Sequence, residues 1–346
     1  MDVRLSPEQQ ALRDSAARLV DQLGPHAVAD LGDPERTAKL DAAVAAAGWR
    51  ELRAAAEGDA PLASGVEVGI VAEALSRGLA DVSFLGPILA GELRRLTGAP
   101  PVAEVETVAL TPDLASLVTV ADGEVPVGVA VDVRGARTAL VLVGRADGRH
   151  LAQVALDGSP VTVDLTRPSM ALGASATASP VAGATRPIPE GDLVRWTALG
   201  LSLACADLVG AMFGAVDLAR AYAAGRHQYG AAIGSFQAVQ HLLADAFVLA
   251  EGSRSTTLYA MWAVDELPGP DALAAASAAK AFCARAARDV CETAIQVHGG
   301  IGNTWECLAH VYLRRCLVSG DVLGDAGRSV SRVLEHHGIG GSDGLP

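Results

Sequence analysis

The 346-residue sequence predicts an α+β fold in which helical regions flank a small β region, and three observations carry that prediction. Apolar residues recur at helical spacing through the first hundred residues. Between about Pro100 and Arg186 the pattern changes to short Val-, Leu- and Thr-rich runs broken by Gly, Pro and Asp. From Pro189 to about His336 the helical period returns. The switches divide the chain into an N-terminal helical domain over residues 1–100, a reduced β domain over 101–186 and a C-terminal four-helix bundle over 187–346.

Each element follows from local signals. Ser6-Pro7-Glu8-Gln9 sets an N-cap serine before a proline at the first helical position and a glutamine at the third, so a helix starts at Pro7. Leu12, Ala16, Leu19 and Val20 form its apolar stripe. Further helices are predicted over 33–47, 66–76 and 84–96, with breaks at Gly48-Trp49 and Arg77-Gly78 and an early interruption of the last helix at Gly86-Pro87. Strands are predicted over 118–120, 127–133, 138–143, 151–156 and 161–163, with turns at Asp122-Gly123, Asp147-Gly148 and Asp157-Gly158. In the C-terminal region, breaks near Gly225–Gly234, Leu267–Pro270 and Gly299–Asn303 separate long helices.

Composition excludes several function classes. Half the residues are hydrophobic, 19% are charged and the mean hydropathy is +0.30, which excludes disorder and predicts large helical subunit interfaces. With 27 basic against 40 acidic residues the net charge is −13, which repels nucleic acid and anionic membrane surfaces. Cys205, Cys283, Cys291, Cys307 and Cys316 show no CxxC spacing for zinc, and reduced thiols in a cytoplasm are expected. The N-terminus has no apolar h-region of a secretory signal. The stretch 198–219 is long enough to span a membrane but contains Asp207 and Asp217, so it reads as a helix buried in a bundle with each Asp paired to an Arg. His336-His337 reads as a solvated helix end, and Glu251, Asp265 and Glu266 read as helix-surface charges, so no metal site is expected.

Two segments concentrate chemistry. The first runs from Gly225 to His241, GRHQYGAAIGSFQAVQH, joins two long helices and gathers Arg226, Gln228, Tyr229 and Gln237 around a Gly-rich turn. An arginine fork suits a pyrophosphate, because it donates bidentate hydrogen bonds and keeps its charge. The second, QVHGGIGNTWE from Gln296 to Glu306, offers Gly299 and Gly300 for close backbone approach ahead of the next helix.

On these residues the sequence resembles the acyl-CoA dehydrogenase family over nearly its whole length. RHQYGAAIGSFQAVQHLLAD is similar to the family's Arg-x-x-aromatic-Gly, Ile-Gly, Gln-x-x-Gln signature, and QVHGGIGNTWE to its Gln-x-x-Gly-Gly-x-Gly signature. The resemblance implies FAD bound across a subunit interface, with adenosine and pyrophosphate gripped by residues corresponding to Arg226, Gln228, Tyr229, Gln237, Gln296, Gly299 and Gly300. It also implies an acyl-CoA substrate, an electron-transfer flavoprotein as redox partner and a helical-β-helical fold.

The same comparison marks what is missing. Registering Arg314-Arg315 on the family's base-bearing segment puts Leu323 at the α-proton-abstracting Glu, Gly324 at the following Gly and Asp325 at the Thr. The alternative base position falls near Gly200 and Leu201, where no carboxylate stands, leaving Asp321 and Asp325 as displaced candidates. The family's flavin-facing loop is reduced to Thr111-Pro112, and no Trp occurs between Trp49 and Trp196. The expectation is a base-lacking subunit with no catalytic residue of its own, completing the site of a longer homologous partner that carries the base. The alternatives are a non-catalytic structural subunit, or a dehydrogenase-like enzyme for a carrier-bound acyl substrate.

Overall fold

Ser6 opens the first helix as its local sequence requires. Its hydroxyl accepts from the Gln9 N–H at 3.2 Å while the Gln9 side chain takes the Ser6 N–H at 3.0 Å. This computed structural model describes residues 4–56, 60–121, 125–173 and 176–339. α1 (Pro7–Leu23) is followed by α2 (Pro34–Ala46), capped by Asp33, and α3 (Gly65–Arg77), which opens on a second capping box at Ser64 and Glu67. α4 (Leu85–Thr97) contains Gly86-Pro87 in its first turn and is not interrupted. N–H groups in a first turn have no intrahelical acceptor, so Pro87 costs no hydrogen bond. Gly86 answers to packing instead, since an added Cβ would lie 2.2 Å from Thr107 Oγ1 in the β region.

That region forms one sheet from β1 (Glu106–Leu110), β2 (Thr119–Val120), β3 (Val129–Ala130), β4 (Thr138–Arg145), β5 (Gly148–Ala155), β6 (Met170–Ala171) and β7 (Ala178–Pro180). The order is β6-β3-β1-β4-β5-β7, and β2 shares the β1 edge of β4. β4 and β5 make a hairpin with Arg145 opposite Gly148, whose φ of +137° closes the loop at Ala146-Asp147. Val161 makes only a single bridge to Ser169, and the predicted strand over 161–163 does not form. Both Val161 and Val163 are more than half exposed, so no apolar face holds them. The predicted turn at Asp122-Gly123 lies outside the described residues.

The C-terminal region comprises α5 (Glu190–Gly225), β8 (His227–Gln228), β9 (Ala231–Ala232), α6 (Gln237–Glu266), α7 (Gly269–His298), a short 3-10 turn (Gly299–Asn303), α8 (Ala309–Asp321) and α9 (Ala326–His336). Among the described residues α5 is the one helix long and apolar enough to cross a membrane, and its apolar window is wholly buried in the core. Neighbours reach its backbone through glycine: a Cβ on Gly210 would meet Glu73 O at 2.2 Å, and one on Gly214 would meet Arg77 O at 2.3 Å.

Asp207 ties the three regions together. Its Oδ1 accepts from Arg315 Nε (3.1 Å) and Nη2 (2.7 Å), while its Oδ2 accepts from Ser319 Oγ (2.6 Å) and lies 3.0 Å from Arg167 Nη2. Arg315 also donates to Thr166 Oγ1 (2.8 Å) and Ala80 O (3.2 Å), and Arg167 donates to Asp164 (3.0 Å). Burial alone raises the Asp207 carboxyl, but Arg167 and Arg315 outweigh it and hold the group down at about 2.

Asp217 departs from expectation: it pairs with Arg77 at 2.5 Å, but this pair is half-exposed rather than buried. Asp265 is exposed on α6 as expected, and it also accepts from Gly65 N (2.6 Å) and from the buried Arg53 (3.1 Å). His336 and His337 are exposed at the end of α9 as expected, and His336 lies 3.3 Å from Asp271 of α7. All five cysteines are free and buried, and no group of three metal-ligating side chains occurs among the described residues.

Candidate functional site

α5, α6 and α7 run up, down and up, so the C-terminal ends of α5 and α7 share one end of the bundle with the start of α6. The Tyr222 ring stacks on His298 at that end, with centroids 4.5 Å apart and planes at 26°. The two Gly-rich segments, far apart in sequence, therefore meet.

The first segment is a tight hairpin. His227 faces Ala232 and Gln228 faces Ala231, while Tyr229 and Gly230 have φ of +52° and +79°, the signs of a type I′ turn. Tyr229 stands at its tip, 95% exposed, with Phe236 edge-on at 6.4 Å. Arg226 is held by its backbone: its N–H donates to Tyr222 O and its carbonyl accepts from Ile233 N, both at 2.8 Å. Its exposed guanidinium has no hydrogen bond or ion pair among the described residues. Gln228 and Gln237 are exposed, Gln237 as the first residue of α6.

Gln296 is exposed on the last turn of α7. Gly299 (φ +66°) and Gly300 follow, and a Cβ added to either meets no atom within 4 Å, so their backbone lines open space. Gly302 serves packing, since its Cβ would lie 2.7 Å from Ile295 O. A free guanidinium, three carboxamides and bare backbone form the donor set that a diphosphate and its attached heterocycle need.

The cleft between the β region and the C-terminal helices is built differently. Leu323, in the left-handed region at φ +60°, is almost fully buried. Its Cδ1 stands 2.2 Å from where a Cβ on Gly200 would lie, so the two positions at which a base was sought are neighbours and one leucine fills both. Its N–H donates to Leu114 O at 2.7 Å and its carbonyl accepts from Arg332 at 2.8 Å. Lys280 Nζ donates to Val322 O at 2.6 Å, and Arg328 lies 3.3 Å from Asp113. Thr111 hydrogen-bonds Asp113 within its own loop.

Asp325 caps α9 by accepting from Arg328 N at 2.8 Å. Asp321 ends α8, and burial raises its carboxyl above the usual range. Lys280 escaped sequence reasoning; its one signal was rarity, as one of two lysines. It is completely buried, and burial lowers its amine to about 8. A cavity of about 310 Å³ remains here, lined by Leu323, Arg332, Ser116, Arg149, Trp196 and Thr197 among others.

Fold and site together define a helical-β-helical protein whose two Gly-rich segments meet at one end of its C-terminal bundle. Residues 201–325 match the family model "Acyl-CoA dehydrogenase, C-terminal domain". The chain is 30% identical over 342 residues to the acyl-CoA dehydrogenase IpdE2 of Mycobacterium tuberculosis, covering 95% of this chain and 96% of that one. A further relative, 40% identical over 135 residues, is matched over only 19% of its own length. The chain belongs to the acyl-CoA dehydrogenase family. Its fold is that of one chain in the structure of the ChsE4-ChsE5 complex from Mycobacterium tuberculosis (TM-score 0.79, 23% identity, 98% of this chain and 99% of that chain). The Tcur3481-Tcur3483 steroid ACAD G363A variant shares it (TM-score 0.78, 22% identity, 96% and 98%).

Proposed function

We propose that this chain is a cytoplasmic subunit of a heteromeric, FAD-dependent acyl-CoA dehydrogenase, and that it grips the adenosine diphosphate part of FAD for a longer, base-carrying homologue. One contrast carries the reading: the residues at the bundle end stand open and unengaged, while in the chain's own cleft the position of the base is held by the buried Leu323, whose backbone is tied to Leu114. The residues fit one half of the cofactor and not the other. Arg226 has a free fork and Gly299-Gly300 a bare cradle, whereas the chain's own cleft presents a leucine, Leu323, against Gly200 where a base would stand.

When bound, FAD supplies the hydride acceptor for α,β-desaturation of an acyl-CoA thioester. In this division of labour Arg226 binds the pyrophosphate, Gln228, Gln237 and Gln296 supply amide contacts, and Tyr229 covers the cofactor from the hairpin tip. No carboxylate of this chain takes the α-proton; the partner's does. Likeness to two-protein assemblies such as ChsE4-ChsE5 supports the heteromer, and the steroid ACAD supports a bulky steroid-derived acyl-CoA as substrate class, with an electron-transfer flavoprotein accepting the electrons.

The test is flavin content of the complex purified from its native cells through a tag on this chain. Arg226→Ala removes charge-assisted hydrogen bonds worth about 1.5–3 kcal/mol each, so FAD affinity should fall tenfold or more with helicity unchanged. Full flavin retention would refute the clamp.

A further inference from the structure

We infer that Tyr222 and His298 are positioning residues that hold the two halves of the clamp in register; this rests on the cofactor reading above. Arg226 and Gly299-Gly300 sit on separate connections, and neither touches a common partner through its own side chain. What joins them is one ring pair. The Tyr222 carbonyl accepts the Arg226 N–H at 2.8 Å, which sets where the arginine leaves α5. The ring of the same residue stacks on His298, the residue just before Gly299.

His298 is itself locked. It is buried, and its Nδ1 lies 2.7 Å from Ala294 O. A carbonyl only accepts, so Nδ1 carries the proton, and the hydrogen bond fixes the ring plane that Tyr222 stacks on. The glycine turn folds back on the same residue: a Cβ on Gly302 would lie 3.1 Å from His298 Cβ. On the other side the hairpin folds back on α5, where a Cβ on Gly234 would lie 3.0 Å from Ala223 O. Both motifs are thus referenced to adjacent residues of a single stacked pair. A free guanidinium gains affinity from being held where its ligand needs it, because less freedom is lost on binding.

The experiment measures FAD release from the same tagged complex after dilution, by recovery of flavin fluorescence, with subunit association and thermal midpoint followed in parallel. Tyr222→Leu and His298→Leu remove a ring from the stack. Each should release FAD at least tenfold faster while the complex stays assembled. Tyr222→Phe keeps the ring and should remain within twofold of wild type, which a general packing defect would not predict. His298→Phe keeps a ring without the Nδ1 hydrogen bond and should fall between. If a leucine variant does not fold, His298→Phe carries the test with Tyr222→Phe as its control, and release faster than wild type in His298→Phe with assembly intact is then required. Wild-type release in the leucine variants, or equal loss in Tyr222→Phe, overturns the inference alone, provided Arg226→Ala still sheds FAD. Retention of FAD by Arg226→Ala removes the clamp reading and this inference with it.

Discussion

Replacing Asp207 with asparagine tests the junction of the helical and β regions. The carboxylate is buried, and its two oxygens serve Arg315 through two nitrogens, Arg167 and Ser319. Asparagine keeps one acceptor but turns an amide toward donors, leaving Arg167 with Asp164 as its only acid at ion-pair distance and Arg315 with neutral oxygens. Breaking a buried pair from one side costs about 3–5 kcal/mol. Unfolding entropy of about 2.1 cal/mol/K per residue converts this into a fall of about 4–7 °C in thermal midpoint for a chain of this length. The half-exposed Asp217–Arg77 pair is the control, and Asp217→Asn should cost under about 1 kcal/mol, about 1 °C. The sign with pH is set by the depressed Asp207 group: its contribution is complete above the ordinary value of 3.8 and is lost as pH falls toward 2. Scanning calorimetry of wild type and both variants from pH 3 to 7 reads both effects. Equal shifts for Asp207→Asn and Asp217→Asn at pH 7 would refute the junction.

Two further outcomes concern the surroundings of Leu323. Leu323→Glu places a carboxyl at the proposed base position, yet the Leu114 carbonyl still holds the residue's backbone; acyl-CoA-dependent dye reduction by this chain alone should stay at background, and measurable turnover would contradict the half-site reading. Burial lowers Lys280 to about 8 from 10.5, so the folded chain sheds this proton before the unfolded chain does and gains stability as pH rises from 8 to 10.5. Lys280→Met should flatten that part of the urea-midpoint profile, and an unchanged slope would show that the amine does not titrate differently on folding.

Local signals made much of the fold legible. Ser6-Pro7-Glu8-Gln9 contains its own cap, and the β4–β5 hairpin is announced by two apolar runs around Asp147-Gly148. β1 was hidden because it begins at Glu106, whose charge is met by Arg94 of α4, a partner that only the fold supplies. β6 and β7 are too short to show a period. At the site, motif spacing singled out the residues proposed as the clamp, and the parity of three long helices brings them to one end. The Leu114–Leu323 hydrogen bond was not legible, since it joins two loops in left-handed conformations whose residues give no such sign. The partners of Asp207 were equally unreadable beyond the expectation of an arginine.

The junction at Asp207 also constrains mechanics. Hinge and shear motions need interfaces that slide or loops that absorb rotation. Here the helical and β regions are joined by buried ion pairs, by the Asp132 carboxylate receiving Phe84 N at 2.7 Å, and by the backbone bond at Leu323. Such joints oppose sliding of the two regions past one another. In the assembly proposed above, the opening that admits a bulky thioester therefore falls to the catalytic chain, which would breathe against a stationary jaw that keeps hold of the nucleotide end of the cofactor through every turnover.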